Sequence, residues 1–463
     1  MRRFELWLAL LAACGHRHTN TNVDATIVPD ACTTLDCYQF DCSVKNAPPT
    51  SVSGIVYAPN GTLPLYGVNV YVPASDPGPL TQGVTCSRCG DGLQGGSLAA
   101  AVTDEAGHFS LTNVPATNGV PIVIQVGKWR RQIKLDTVAA CQDTPLDPVD
   151  TTLPKSRTDM TANTTGVDLP MIALSTGGAD ALECLPLKLG IDPTEISSST
   201  GSGSLHLYTD ASSPGRGAGT FVATWPGGNA AMTDAAVMWS TTSTLAPYDI
   251  VILSCEGDQY PATKPQSSMQ ALHDYADVGG RVFMSHWHNI WIGGQVGLPS
   301  HGLPDWETAA TWTFAGNPPS PLTATIDEVN NPKGTSFATW MLNVMASTTR
   351  DLVTVDQPRD TASAVNAMTT ERWIYLDPAT SPNVTGAMNF QFTVPMQAMP
   401  SDRCGKVVFS DMHVSADSFS AAGTPYPNGC AHDAMGNLKP LTAQEKALAF
   451  MFFDIASCVS NIP

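Results

Sequence analysis

At 463 residues the chain exceeds one ordinary core and calls for two or more domains. Its formal net charge of −18 leaves no basic stripe to neutralise phosphates, which excludes nucleic acid as a partner. Only 14% of residues are charged, while Gly and Pro abound, a mix that suits a loop-rich exported protein better than a helical cytosolic enzyme.

Arg2 and Arg3 precede the apolar run LWLALLAA (6–13), too short to span a bilayer as a mature helix and built like a signal peptide. It ends in Leu11-Ala12-Ala13-Cys14-Gly15. This resembles the lipobox of bacterial lipoproteins, which implies cleavage after residue 13, lipidation of Cys14 and a membrane partner through that anchor. Gly15 after the cysteine implies, by the same analogy, the outer membrane or cell surface. No other apolar run approaches the length of a membrane span.

Residues 14–50 have little apolar periodicity and are expected to form a tether. The chain has twelve cysteines, which in an exported protein imply disulfides. Cys32, Cys37, Cys42, Cys86, Cys89 and Cys141 are enough to staple tether to first domain, in an order that spacing leaves open. Cys86-Ser87-Arg88-Cys89 has no second CxxC to complete a zinc ribbon, so disulfides are the better reading.

From 51 to 140 short alternating runs (SGIVYAP, GVNVYVP, AAAVTDEAGHFSLTNVP, PIVIQVGKWRRQIKL) recur between turns, the period of half-buried strands in an all-β sandwich. Lys128, Arg130 and Arg131 are expected on a solvated strand face. The segments Ser53–Val56, Pro64–Val68, Thr103–Phe109 and Val114-Pro115 resemble the carboxypeptidase regulatory-like, or transthyretin-like, family. The resemblance implies a tight hairpin from Asp104 to Gly107, Phe109 in the core, a turn position for His108, and a supporting or binding role. Residues 75–100 depart from that pattern as an insertion. A Thr- and Pro-rich linker is expected at 141–167.

Beyond 168 the pattern changes to continuous apolar runs separated by helical spacing: LPMIALST (169–176), YDIVILSCEGD (248–258), RVFMS (281–285) and KVVFSDMH (406–413). MQALHDYADVGG (269–280) and LTAQEKALAFMFFDIASC (441–458) are the expected helices between and after them, the second with a Thr442/Glu445 capping box. Strands without alternation imply a parallel sheet covered on both faces, a three-layer α/β/α domain over 168–463. Ligands of such sheets bind beyond the carboxyl ends of the strands. Three strands bring polar tips there: Cys255-Glu256-Gly257-Asp258, Ser285-His286-Trp287-His288 and Asp411-Met412-His413. Cys184, Cys255 and Cys430 are expected near that upper edge, with one left over. Cys404 and Cys458 are placed at the lower edge and expected to pair.

The elements Tyr248–Val251, Gly279–Phe283 and Gly405–Phe409 resemble the class I glutamine amidotransferase-like fold and its trehalose-utilisation-like branch. A region of about 290–400, β-rich with one helix near 334–347, departs from it as an insertion expected to cover the upper edge. The resemblance places a nucleophilic cysteine on the turn after RVFMS, where Ser285 and His286 stand, and an acid at Ser415, so the thiolate triad is lost. His413 falls where the family has its general base.

Two functions follow. One is a non-catalytic binding or interaction protein for carbohydrate or another envelope ligand, with His286, Trp287, His288, Asp258, Asp411 and His413 as binding candidates. The other is a divergent or metal-dependent hydrolase. There His286, His288 and His413 would hold a divalent ion such as zinc, and His286, His413, Cys255 and Glu256 are the catalytic candidates. Core packing competes at each histidine, and a disulfide competes at Cys255. Trp306, Trp312, Trp340 and Trp373 either line a sugar face or fill the core.

Overall fold

Eight strands build the first half: β1 (Ser51–Ile55), β2 (Asn69–Val72), β3 (Ala99–Val102), β4 (His108–Thr112), β5 (Asn118–Val126), β6 (Trp129–Thr137), β7 (Asp143–Pro145) and β8 (Thr164–Asp168). They pair as two sheets, β4-β1-β7 and β3-β2-β5-β6-β8. The structure is a computed structural model that describes residues 33–211, 217–296, 303–313, 316–414 and 423–460; Cys14, the signal peptide, Cys32 and Ser415 lie outside them. Alternation works as expected in β4, where Phe109 and Leu111 go inward and His108, Ser110 and Thr112 outward. The hairpin before it closes through the Asp104 carboxylate, which accepts the main-chain N–H groups of Ala106 and His108.

Two expectations for this half are corrected. The stretch 141–167 is no free linker, because it supplies β7, paired to β1, and most of β8, paired to β6. Arg130 and Arg131 are buried rather than solvated. Each meets a carboxylate, Asp168 at 2.8 Å and Asp159 at 2.6 Å, and main-chain carbonyls take up further guanidinium donors. A buried guanidinium persists only when its donors are satisfied in this way.

The second half adds β9 (Ile172–Ser175), β10 (Ile196–Ser198), β11 (Leu205–Thr209), β12 (Thr233–Asp234), β13 (Ile250–Leu253), β14 (Arg281–Ser285), β15 (Ala310–Trp312), β16 (Leu322–Ile326), β17 (Leu352–Val355), β18 (Ala362–Val365), β19 (Thr370–Leu376), β20 (Gly386–Val394) and β21 (Gly405–Ser410). The main sheet runs β10-β11-β9-β13-β14-β21-β20-β19-β16-β17, with β12 beside β11. It is parallel from β10 to β21 and antiparallel from β20 onward. The region read as an insertion over the upper edge therefore mainly widens the sheet sideways. Among the described residues, its 356–361 loop and its first residues, where Gly294 and Val296 bond Gln259 beyond β13, reach that edge.

Alternate residues of the parallel strands enter two different cores. Ile172, Leu174, Ile250, Ile252, Phe283 and Val408 pack with Leu448 and Phe452 of the last helix, Ala443–Ala456. Ala173, Val251, Leu253, Val282, Met284 and Phe409 pack with Leu272, Tyr275 and Ala276 of the helix Gln266–Asp277. The capping box holds at the start of the last helix: Glu445 N–H donates to Thr442 Oγ1, and Thr442 N–H donates to Glu445 Oε2.

The first of these cores continues into the sandwich. Trp129 lies 5.5 Å from Phe453 and 6.0 Å from Phe452, centroid to centroid. The β5–β6 hairpin tip presses on the last helix so closely that a Cβ on Gly127, at φ +56°, would sit 1.9 Å from the Ala456 carbonyl oxygen. Trp306, Trp340 and Trp373 are buried, and Trp312 packs on Phe390 and Phe409. The first three rings are core, and Trp312 is half-buried against it.

Disulfides fasten this arrangement. Cys42–Cys141 ties the tether to the sandwich, and Cys184–Cys430 crosses the upper part of the second half, leaving Cys255 buried and free. The expected Cys404–Cys458 bridge is overturned: Cys404 bonds Cys86, and Cys458 bonds Cys89. Both cysteines do lie at the lower edge, but the 75–100 insertion reaches them first. Cys89 N–H donates to the Val459 carbonyl and Val459 N–H to the Ser87 carbonyl, which lays the CxxC segment alongside the chain end. These bridges fit an oxidising, extracytoplasmic environment, and no helix of the described residues is long and apolar enough to cross a membrane.

Trypsin cuts after Arg88, between the two insertion cysteines. Non-reducing peptide mapping should therefore release Cys86 joined to the Cys404 peptide and Cys89 joined to the Cys458 peptide. A Cys404–Cys458 peptide would contradict this connectivity.

Candidate functional site

β13, β14 and β21 are neighbours in the parallel sheet, in a register that pairs Leu253 with Met284 and Ser285 with Ser410. Their tips consequently emerge together. Cys255, His286 and His413 converge there, all buried, with one ligand atom from each lying within 4.8 Å of the others. Cys255 Sγ is 3.5 Å from His286 Nδ1, and the rings of His286 and His413 are 5.3 Å apart. His286 takes the first position after β14 at φ +32°, a left-handed conformation rare for a residue with a side chain and common at functional turns.

Burial sets the protonation of this cluster. It pushes the Cys255 thiol up to about 12, even though the main-chain N–H groups of Trp287 and Gly257 donate to the sulfur. It brings His413 down to about 3, with Arg359 adding to the effect, and holds His286 well below the ordinary imidazole value, with His413 and Arg359 adding to it. A neutral thiol and two weakly basic imidazoles are poor acid–base catalysts near pH 7, while neutral imidazoles are ready ligands and the thiol becomes one on losing its proton. Neither ring nitrogen of His413 has a hydrogen-bond partner among the described residues. Leaving such a buried group unsatisfied costs about 1–3 kcal/mol.

The other predicted residues separate from this trio. His288 is not a ligand: its Nε2–H donates to the Ser254 carbonyl at 2.8 Å, and its Nδ1 accepts from Trp291 Nε1 at 2.8 Å. Both ring nitrogens are spoken for, because the short helical turn after β14 rotates His288 away from His286 instead of continuing the strand. Trp287 is half-buried, its ring 4.6 Å from that of His286. Asp258 is exposed. Glu256 is no catalytic partner for Cys255, since Lys264 Nζ at 2.5 Å and Ala211 N–H at 2.9 Å occupy its two oxygens in a buried ion pair. Asp411 accepts the N–H and hydroxyl of Thr361, which brings the 356–361 loop over the edge.

A fourth tip was missed. β9 adjoins β13, and its Gly177-Gly178-Ala179-Asp180 turn folds directly over Cys255. Ala179 N–H donates to the Cys255 carbonyl, and a Cβ on Gly177 would fall 2.6 Å from that oxygen. Asp180 accepts the Ser285 hydroxyl and, at 2.8 Å, Val414 N–H. The upper edge is thereby covered. The rule that gathers polar strand tips applies equally to β9 and would have included Asp180.

A larger opening lies at the other end of the sheet. A chamber of about 880 Å³ separates the sandwich from the lower edge, walled by the 80–94 segment and both interdomain disulfides. Four cationic side chains line it against three carboxylates: Arg88, Lys128, Arg281 and Lys333, with Asp91, Asp249 and Asp454. Arg281 is buried, and among the described residues its hydrogen bonds go to main-chain carbonyls, those of Gly279, Cys404, Ser87 and Ser457. Burial lowers it to about 10, so it stays charged at neutral pH. Lys333 at the wall and Lys406 behind it share the Asp454 carboxylate. Burial alone would raise Asp454, but the two ammonium groups hold it well below the usual carboxylate range.

No family model matches the chain, and no curated protein matches it. Among solved structures it is similar to N-terminal and C-terminal interface mutants of a type II cohesin–X–dockerin complex from Acetivibrio cellulolyticus. Identities are 18% and 19%, with 31% of this chain and 85% of the other covered in each case, at a TM-score of 0.17. A likeness at that score carries no argument about fold or partner.

Asp180 offers a test of the covered edge. Burial raises its carboxyl from 3.8 to about 7. The folded state therefore holds the proton more tightly, and the stability this group supplies is complete below its unfolded value and lost as pH rises through about 7. Asparagine can accept from Val414 N–H through its carbonyl oxygen and donate its amide N–H to the Ser285 oxygen, without the charge. Denaturation midpoints of wild type and Asp180→Asn should agree near about pH 4 and diverge toward about pH 8, the variant becoming the more stable. A difference that is constant with pH would contradict the buried placement.

Proposed function

We propose that the chain is an exported, lipid-anchored binding protein of the outer membrane or cell surface whose ligand is an organic anion, an acidic saccharide of the envelope being the class that fits best. The observation that carries this reading is the chamber between the two halves. In a chain of formal net charge −18, its lining sets four cationic side chains against three carboxylates, Lys128 pairing with Asp249 and Lys333 with Asp454, around a buried arginine whose hydrogen bonds among the described residues all go to main-chain carbonyls. Its volume falls in the range of small-molecule sites, about 300–1,000 Å³. The Cys86–Cys404 and Cys89–Cys458 bridges fix its walls before any ligand arrives, which lowers the ordering cost of binding.

The rest of the reading agrees. A sandwich of the carboxypeptidase regulatory-like kind would serve as support near the membrane, with Cys14 as the anchor. The parallel half would be an amidotransferase-like scaffold without its thiolate. In support, His286 stands on the strained turn after β14, while the free cysteine sits one strand away with its thiol pushed up to about 12. The rival reading, a hydrolase at the upper edge, requires a substrate to reach residues that the 177–180 turn covers.

Calorimetric titration of the purified exported protein with uronate-bearing oligosaccharides and their uncharged counterparts tests the proposal. Binding confined to the acidic sugars and weakened by salt is expected. Lys333→Gln, at the chamber wall, should weaken it by about tenfold. Equal binding of uncharged sugars, or saturable binding unchanged in Lys333→Gln, would overturn it.

A further inference from the structure

We propose that Cys255, His286 and His413 form a site for a soft or borderline transition-metal ion, with zinc(II) as the reference case. The proposal is independent of the chamber, which lies at the opposite end of the sheet.

Three observations carry it. The donor set is chemically apt, since one thiolate and two imidazoles suit zinc and copper and exclude magnesium or calcium. The spacing is close to what a metal imposes. At ordinary zinc–sulfur and zinc–nitrogen lengths, a tetrahedral ion sets its sulfur and nitrogen ligands about 3.6 Å apart; Cys255 Sγ stands 3.5 Å from His286 Nδ1, a hydrogen-bond distance in the metal-free chain, and all three donor atoms lie within 4.8 Å of one another, so a small closure would complete the set. Finally, His413 is otherwise unexplained. His413 is buried with neither ring nitrogen bonded among the described residues, although buried polar atoms nearly always find partners.

Burial keeps the metal-free Cys255 as a thiol, so it is the ion itself that would draw off the proton. Main-chain N–H groups of Trp287 and Gly257 donate to the Cys255 sulfur, the outer-shell pattern that orients a metal thiolate. Metal uptake would break the Cys255 S–H bond, form a sulfur–metal bond and release one proton to solvent, while both imidazoles ligate in their neutral form. His288 is excluded from the set by its bonds to Ser254 and Trp291. Three protein ligands leave one tetrahedral position for a water or small anion. The covering turn at 177–180 means that the ion enters during folding or through opening of that turn.

Cobalt(II) is the probe, added to the full-length protein both as folded and during refolding. One equivalent should produce a thiolate-to-cobalt charge-transfer band that zinc(II) removes. Cys255→Ser should abolish the band, and His413→Gln should weaken affinity by more than about a hundredfold, the scale that outer-shell changes already reach. His108→Gln, exposed on the sandwich, should change neither. Should the two site variants fail to fold, zinc-edge X-ray absorption of the loaded wild type still decides. A shell of one sulfur and two imidazoles supports the site, and an all-oxygen or all-nitrogen shell overturns it. Absence of stoichiometric metal after refolding in excess zinc, or a band that survives in Cys255→Ser, also overturns it.

Discussion

The register of four parallel strands is the constraint on which the rest of the molecule depends. β9, β13, β14 and β21 are paired residue for residue and buried on both faces, so none can slip by one position without turning an apolar row into the wrong core. Because the strands end at nearly the same height, whatever follows them in sequence must share a small space. Asp180, Cys255, His286 and His413 are brought together by that rule, from segments up to 233 residues apart. Their burial then follows from the turns that close over them, and burial holds the thiol and both imidazoles neutral and raises the Asp180 carboxyl.

The lower edge is governed by a different constraint. There the sandwich and the sheet share one apolar core through Trp129, Phe452 and Phe453, and the 75–100 insertion locks the two halves with disulfides spanning 318 and 369 residues of sequence. In the entropic account the first closure of that length constrains the unfolded chain by about 6 kcal/mol, and the second, which then closes a much shorter residual loop, adds less. The chamber between the halves is thus a rigid frame lined by charge, whereas the upper edge is a filled one. Binding of a sizeable anion and ligation of a single ion are assigned to different ends for that reason.

Much of this architecture was legible from residues. The runs YDIVILS, RVFMS and KVVFS could only be buried parallel strands, and Thr442 with Glu445 marked the start of the last helix. The widening of the sheet was not legible, because polar residues disguise β20. Asn389, Gln391 and Thr393 look like a solvated face, yet all nine residues of the strand are buried. Asn389 bonds the Ser410 hydroxyl, and Gln391 bonds the Glu371 carboxylate, satisfactions that only tertiary structure supplies. The histidine pair was misjudged for a related reason. Spacing of two suggests one strand face, but the chain turns helical at His286 and sends His288 to Ser254. Disulfide partners could not follow from spacing, since the insertion that captures Cys404 and Cys458 lies in the other half of the chain.

The convergence of His286 and His413 on Cys255 in a water-poor edge is the central claim, and it can be read without any metal. Nitrogen-15 spectra of the histidine side chains in the metal-free protein should show His286 and His413 neutral from about pH 8 down to about pH 5, with His288 fixed as the Nε2–H tautomer. Free titration of His286 and His413 near the ordinary imidazole value, each indifferent to replacement of the other, would contradict the account.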